Sequence, residues 1–204
     1  MTIKNRKLSK NFALHEFLTS STAQRFPEIL ADQYDPPENV VSNLSYLCNQ
    51  CLQPIRDTFR YSIRISSGYR CEALNMKVGS TNRSQHLHGQ AADCAISDRF
   101  LNSPRTANIR RKLEDLVLEK TGRQIRGDVN ANYYLFIYVC LRLHRFDIDQ
   151  VIHEYGTGPG NPAWVHIACS PAATQKGQIL AFGRHFSNNV DRPDLNSALR
   201  YGTA

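Results

Sequence analysis

The sequence predicts an α+β fold: a small, mainly antiparallel sheet with helices packed against one side and around its edges. Three patterns point to it. Val40, Val41, Leu44, Leu47, Cys48, Cys51, Leu52, Ile55 and Phe59 recur mostly at steps of three and four, the stripe of a core-facing helix. Ser62-Ile63-Arg64-Ile65-Ser66 alternates polar and apolar residues, the period of a half-buried strand. Two further strand-like segments, 147–154 and 164–168, flank the turn-dense residues 155–162 and predict a hairpin.

Along the chain, Leu14, Phe17 and Leu18 predict a short helix, with Ser9 or Asn11 as its cap and Ser20, Ser21 or Thr22 capping a second turn. Pro36 and Pro37 suit the start of the long helical stripe, and Pro54 is expected to bend or divide it near Gln53. After the strand ended by Gly68, residues 72–78 predict a short helix and 79–84 a loop. A second strand is expected over 90–96, then helices over 104–120 and 130–145. Beyond Pro171 the pattern weakens. Gln178-Ile179-Leu180-Ala181-Phe182 can pack, and the remainder reads as a loose tail.

A chain of 204 residues with no Pro/Gly/Ser-rich linker is long enough for one well-buried core. Its net charge of +7 favours anionic partners without choosing among nucleic acid, lipid and wall polymer. Apart from Arg110-Arg111-Lys112 and Lys4-Asn5-Arg6-Lys7 the basic residues are scattered, so no nucleic-acid partner is expected. The most apolar segment, 133–143, is too short to span a bilayer. No continuous apolar stretch follows the basic N-terminal residues, so the protein is expected to be soluble and cytoplasmic where it is synthesised. In that compartment Cys48, Cys51, Cys71, Cys94, Cys140 and Cys169 read as thiols. Cys48-x-x-Cys51 lies in a helical pattern with no second pair, which favours buried small hydrophobes over a redox or metal site.

The chemistry concentrates in Ser84-Gln85-His86-Leu87-His88-Gly89-Gln90-Ala91-Ala92-Asp93 and in Trp164-Val165-His166. Two histidines and a carboxylate are a donor set zinc accepts, leaving a fourth position for water. A hydrolase is therefore the leading expectation, with His86, Asp93 and His166 as ligands. His88 is the weaker histidine, read as lining the cleft or supporting the site.

Ser84-x-His86-x-x-Gly89-x-Ala91-x-Asp93, preceded by Ser67-Gly68-Tyr69-Arg70 and followed by Trp164-Val165-His166, resembles the zinc D-alanyl-D-alanine carboxypeptidase family. That family shares its fold with the Hedgehog signalling domain and several phage endolysins, and the similarity runs from about Leu8 to Ala168. The resemblance implies a Zn2+ cofactor on His86, Asp93 and His166, and a substrate-carboxylate role for Arg70. It further implies that Ser84 assists at the same carboxylate or polarises the scissile carbonyl. Many members carry an acid two or three positions before the last histidine, where this chain has Ala163 and Trp164. Glu154, at the end of the preceding strand, is expected to serve as general base, with Asp149 as second candidate.

The expected organisation is a zinc peptidase domain over 1–170 and a C-terminal extension over 171–204, acting as a monomer. The expected reaction is hydrolysis of a peptidoglycan stem-peptide amide at or near D-Ala, by carboxypeptidase or endolysin-type endopeptidase action. Family habit further suggests a phage-encoded enzyme that reaches the cell wall. The alternative is a zinc-stabilised binding or structural module without catalysis, which the missing acid before His166 favours.

Overall fold

The computed structural model describes residues 6–171 and 176–204; Lys4 and Asn5 of the basic N-terminal run, and 172–175 of the C-terminal extension, lie outside them. The fold is α+β. Among the described residues, β1 (Arg64–Ser67), β2 (Ala91–Ala95), β3 (Gln150–Glu154), β4 (Trp164–Ala168), β5 (Gln178–Phe182) and β6 (Val190–Asp191) form one sheet in the order β1-β2-β4-β3-β5-β6. Every neighbouring pair is antiparallel except β3 with β5.

One face of the sheet is sealed by helices. Helix α8 (Ala131–Cys140) is buried at every residue and packs on β3 and β4, with α7 (Ala107–Thr121) outside it. A helix apolar all round must be covered on all sides, which places it between sheet and outer helix. Asn130 starts it, its side chain accepting from the Tyr133 N–H at 3.1 Å.

The long apolar stripe becomes α3 (Glu38–Leu47) and α4 (Gln53–Phe59), joined by a π-helical turn at Cys48–Leu52. Pro54 has no N–H to continue the ladder, so the break falls where the sequence places it. All six cysteines are buried free thiols. Burial raises the thiols of Cys48 and Cys140 above their ordinary range, which suits packing rather than reactivity.

The short N-terminal helix is α1 (Leu14–Leu18), but neither Ser9 nor Asn11 caps it. Ala13 holds that position, its N–H donating to Glu16 Oε1 at 2.8 Å. The next helix, α2 (Pro27–Tyr34), is too weakly patterned to be read from sequence and is locked by Gln33. The Gln33 amide donates to the carbonyls of Leu18 and Tyr69, each at 2.9 Å, and accepts from the Cys71 N–H at 3.0 Å. Helix α5 (Glu72–Lys77) follows at once, and α6 (Arg99–Asn102) fills the connection after β2.

Element ends shift for local reasons. β3 starts at Gln150 rather than 147, because Asp147 adopts φ 52°, incompatible with an extended strand. The predicted helix over 130–145 stops at Cys140 and continues as turns.

The stretch after Pro171 is more firmly held than its pattern suggests. β5 and β6 extend the sheet, and α9 (Leu195–Leu199) returns to α7 and α8. The Tyr133 hydroxyl donates to the Leu199 carbonyl at 2.5 Å, and the Arg126 N–H to the Gly202 carbonyl at 2.8 Å. Gly202 lies on the Tyr133 ring, where an added Cβ would stand 2.5 Å from Cζ. Among the described residues no helix is long and apolar enough to cross a membrane.

Candidate active site

The uncovered face of the sheet floors a cleft of about 1510 Å³. Alternation along the strands decides which side chains reach it. Asp93 pairs with His166, and His166 with Ile152, so these three lie in one row and point the same way. The next row carries Trp164 and Glu154. The segment Trp-Val-His therefore delivers two of its three side chains to the cleft, while Val165 joins the core.

His86 arrives differently, on a 3-10 turn spanning Gln85–His88 and closed by Gly89 at φ +65°. A Cβ at Gly89 would stand 2.6 Å from the Val40 carbonyl, so both conformation and space demand glycine there. The Arg70 N–H donates to the His86 carbonyl at 3.1 Å, tying the turn to the end of β1. His86 Nδ1 lies 2.6 Å from the Gly68 carbonyl, so Nδ1 carries the proton and Nε2 keeps its lone pair. Gly68 is squeezed in turn, since a Cβ there would stand 2.6 Å from Phe17 Cα.

Three donor atoms meet. His86 Nε2 is 3.2 Å from His166 Nδ1, His166 Nδ1 is 3.1 Å from Asp93 Oδ1, and His86 Nε2 is 3.3 Å from Asp93 Oδ1. Bonds of about 2.0 Å at tetrahedral angles require ligand atoms roughly 3.3 Å apart. The triangle therefore fits a bound cation of that size, and the buried residues are a group that could hold one. Burial opposes ionisation of Asp93, but the imidazoles of His86 and His166, when protonated, outweigh it and hold the carboxyl below the usual carboxylate range. The other oxygen, Asp93 Oδ2, accepts from Arg70 Nη2 at 2.8 Å, which leaves Oδ1 turned toward the histidines. Arg70 Nε donates to Ser67 Oγ at 2.9 Å.

Glu154 lines the same cleft, and its Oε2 accepts from the Trp164 indole N–H at 2.9 Å. Burial, reinforced by the negative charge of Asp93, pushes this carboxyl up; His166, the indole bond and Arg70 pull the other way. Asp149 also borders the cleft, but Gln85 Nε2 donates to its Oδ2 at 2.9 Å and Lys176 Nζ stands 2.7 Å from its Oδ1. Both of its oxygens are thus engaged within the protein. It supports the turn carrying His86 through Gln85.

Arg70 and Ser84 both line the cleft. His88 is exposed and stands outside the lining, its carbonyl accepting from Asn43 Nδ2 at 2.9 Å. The sequence reading missed Gln33, Gly68 and Gln85 as supports of the site. Each acts through partners distant in the chain, so spacing alone carries no signal for them.

The peptidase M15 family description matches residues 11–125. That span contains Arg70, Ser84, His86 and Asp93 but ends before Glu154 and His166, which the sheet brings alongside. No curated protein matches the chain.

Proposed function

Because this chain belongs to the peptidase M15 family, whose description covers more than half of it and implies a metal-dependent peptidase, we propose that it is a zinc enzyme hydrolysing peptidoglycan stem peptides at or near D-alanine. The observation that carries this reading is the triangle of His86 Nε2, Asp93 Oδ1 and His166 Nδ1, opening into a cleft that also holds a carboxylate. Zinc bound there would polarise the scissile carbonyl and make water acidic enough to attack near neutral pH.

The protein groups have separate tasks. Glu154 takes the proton from the attacking water and returns it to the departing amine, a role favoured by a carboxyl held above its ordinary range. Trp164 holds one oxygen of that carboxylate and leaves the other free for the proton. Arg70 keeps Asp93 facing inward with Nη2 and offers the substrate its Nη1 edge, suited to a peptide carboxylate. Ser84, at the start of the His86 turn, donates to the same carboxylate or to the scissile carbonyl.

The test is mass spectrometry of purified muropeptides digested by the zinc-loaded protein, with and without chelator, alongside metal analysis. The expected result is chelator-sensitive appearance of products shortened at an alanyl amide. Folded, zinc-loaded protein that leaves every muropeptide intact would overturn catalysis and favour a zinc-stabilised binding module.

A further inference from the structure

The row containing Asp93 and His166 extends further across the sheet. Ile152 pairs with Leu180 of β5. β5 pairs Ala181 with Asp191 and Phe182 with Val190, and Arg192 follows directly after β6, where that register continued by one residue would set it against Leu180. Ile152, Leu180 and Arg192 all line the cleft. With strands about 4.8 Å apart, Arg192 stands roughly 14 Å from His166, on the far side of β3 and β5.

What lies between suits a peptide. Ile152 and Leu180 make an apolar floor, flanked by Gln150 and Gln178, whose amides bond each other at 2.8 Å, and by Glu154 and Phe182. At the end of this track the Arg192 side chain is exposed and has no ion-pair partner among the described residues. The adjacent carboxylates are occupied. Asp191 accepts from the Arg192 backbone N–H at 2.8 Å and from the Tyr201 hydroxyl at 2.6 Å, and Asp194 caps α9 through the Ser197 N–H at 2.7 Å.

We propose that Arg192 is a specificity-determining residue that receives a substrate carboxylate beyond the scissile bond, so that the preferred substrate is an extended acidic peptide with small aliphatic side chains. An extended peptide advances about 3.3 Å per residue, which puts the carboxylate about two to four residues from the bond cut, allowing for the reach of the arginine. A dipeptide is too short to touch it. The proposal rests on the peptidase reading for the position of the scissile bond, but the arginine lies outside the family match and can be tested by binding alone.

The experiment measures equilibrium binding and cleavage of three peptides by zinc-loaded protein. The probes are a stem pentapeptide with its glutamyl α-carboxyl free, the same peptide amidated there, and alanyl-alanine. Arg192→Gln is expected to weaken binding of the acidic pentapeptide about tenfold and to raise its KM equally, with kcat unchanged. Binding of the other two should be unaltered, and Arg192→Lys should restore part of the loss. Equal affinity of Arg192→Gln for the free and amidated pentapeptides, with wild type showing the same equality, would overturn the proposal. So would a loss that extends to alanyl-alanine. Wild-type protein that discriminates the peptides by binding but cleaves none of them would overturn the peptidase reading while leaving the role of Arg192 supported.

Discussion

The Trp164 indole N–H donates to Glu154 Oε2 at 2.9 Å, between residues directly opposed on β4 and β3. The bond gives the carboxylate one orientation beside the donor triangle and opposes the upward push of burial on its pKa. Glu154→Gln should keep its zinc content and lose about 10² to 10⁴ in kcat. A base must be deprotonated to act, so kcat/KM should fall along an acidic limb that reports this carboxyl. Trp164→Phe removes a contact that favours the charged form and should move that limb higher. Steady-state kinetics across pH check both outcomes, and full activity of Glu154→Gln would end its assignment as base.

Gly68 supports the site through its carbonyl and through the space it leaves. Gly68→Ala would place a Cβ 2.6 Å from the Phe17 backbone, which cannot rotate away. A destabilisation of about 3 kcal/mol is expected from such overpacking. Because that carbonyl fixes the tautomer of His86, zinc affinity should also fall about tenfold or more. Urea denaturation and competition with a fluorescent chelator measure the two effects separately.

Asp149 distinguishes support from catalysis. It is buried, while its partner Lys176 is part-exposed, so Asp149→Ala should cost about 2 kcal/mol, below the full penalty of breaking a wholly buried pair. Losing the Gln85 contact should weaken zinc binding several-fold. Once saturated with zinc, the variant should show the wild-type pH profile. Disappearance of the acidic limb would instead mark Asp149 as the proton acceptor.

His153 predicts how stability depends on pH. It is fully buried, its Nε2 lies 2.7 Å from the Pro159 carbonyl, and burial lowers its pKa from 6.5 to about 4. Between those values the unfolded chain binds a proton that the folded protein refuses. This contribution is therefore fully present above about pH 6.5 and is lost progressively as pH falls toward 4, by up to about 3 kcal/mol. His153→Phe keeps an aromatic ring among Phe136, Phe186 and Tyr201 and should lose this part of the pH dependence. Chemical denaturation of both proteins at several pH values tests it; parallel curves would show that His153 contributes nothing.

Metal removal should destabilise the fold as well as silence it. A ligand that binds only the folded state at about 100 times its Kd adds about 2.7 kcal/mol. Chelated protein should therefore melt at lower temperature and recover on addition of zinc. His86→Ala and Asp93→Ala should melt at the same temperature with or without zinc.

The sequence by itself determined the local alphabet of this protein. Residue periodicity marked the helical stripe of α3 and α4, the break near Pro54, the β3–β4 hairpin and the extent of β4, because each depends on neighbours within a few positions. The motif residues His86, Asp93 and His166 also stood out by type and spacing. Only the tertiary structure decided their meeting, since His166 lies 73 residues from Asp93 and reaches it through strand register. The same holds for Gln33 clamping the backbone on either side of Arg70, for Asp149 serving Gln85, and for residues 195–203 being fastened to Tyr133 and Arg126. These contacts are single hydrogen bonds and close backbone approaches. They leave no period in the chain, and the choice among possible partners is made when the sheet and helices pack.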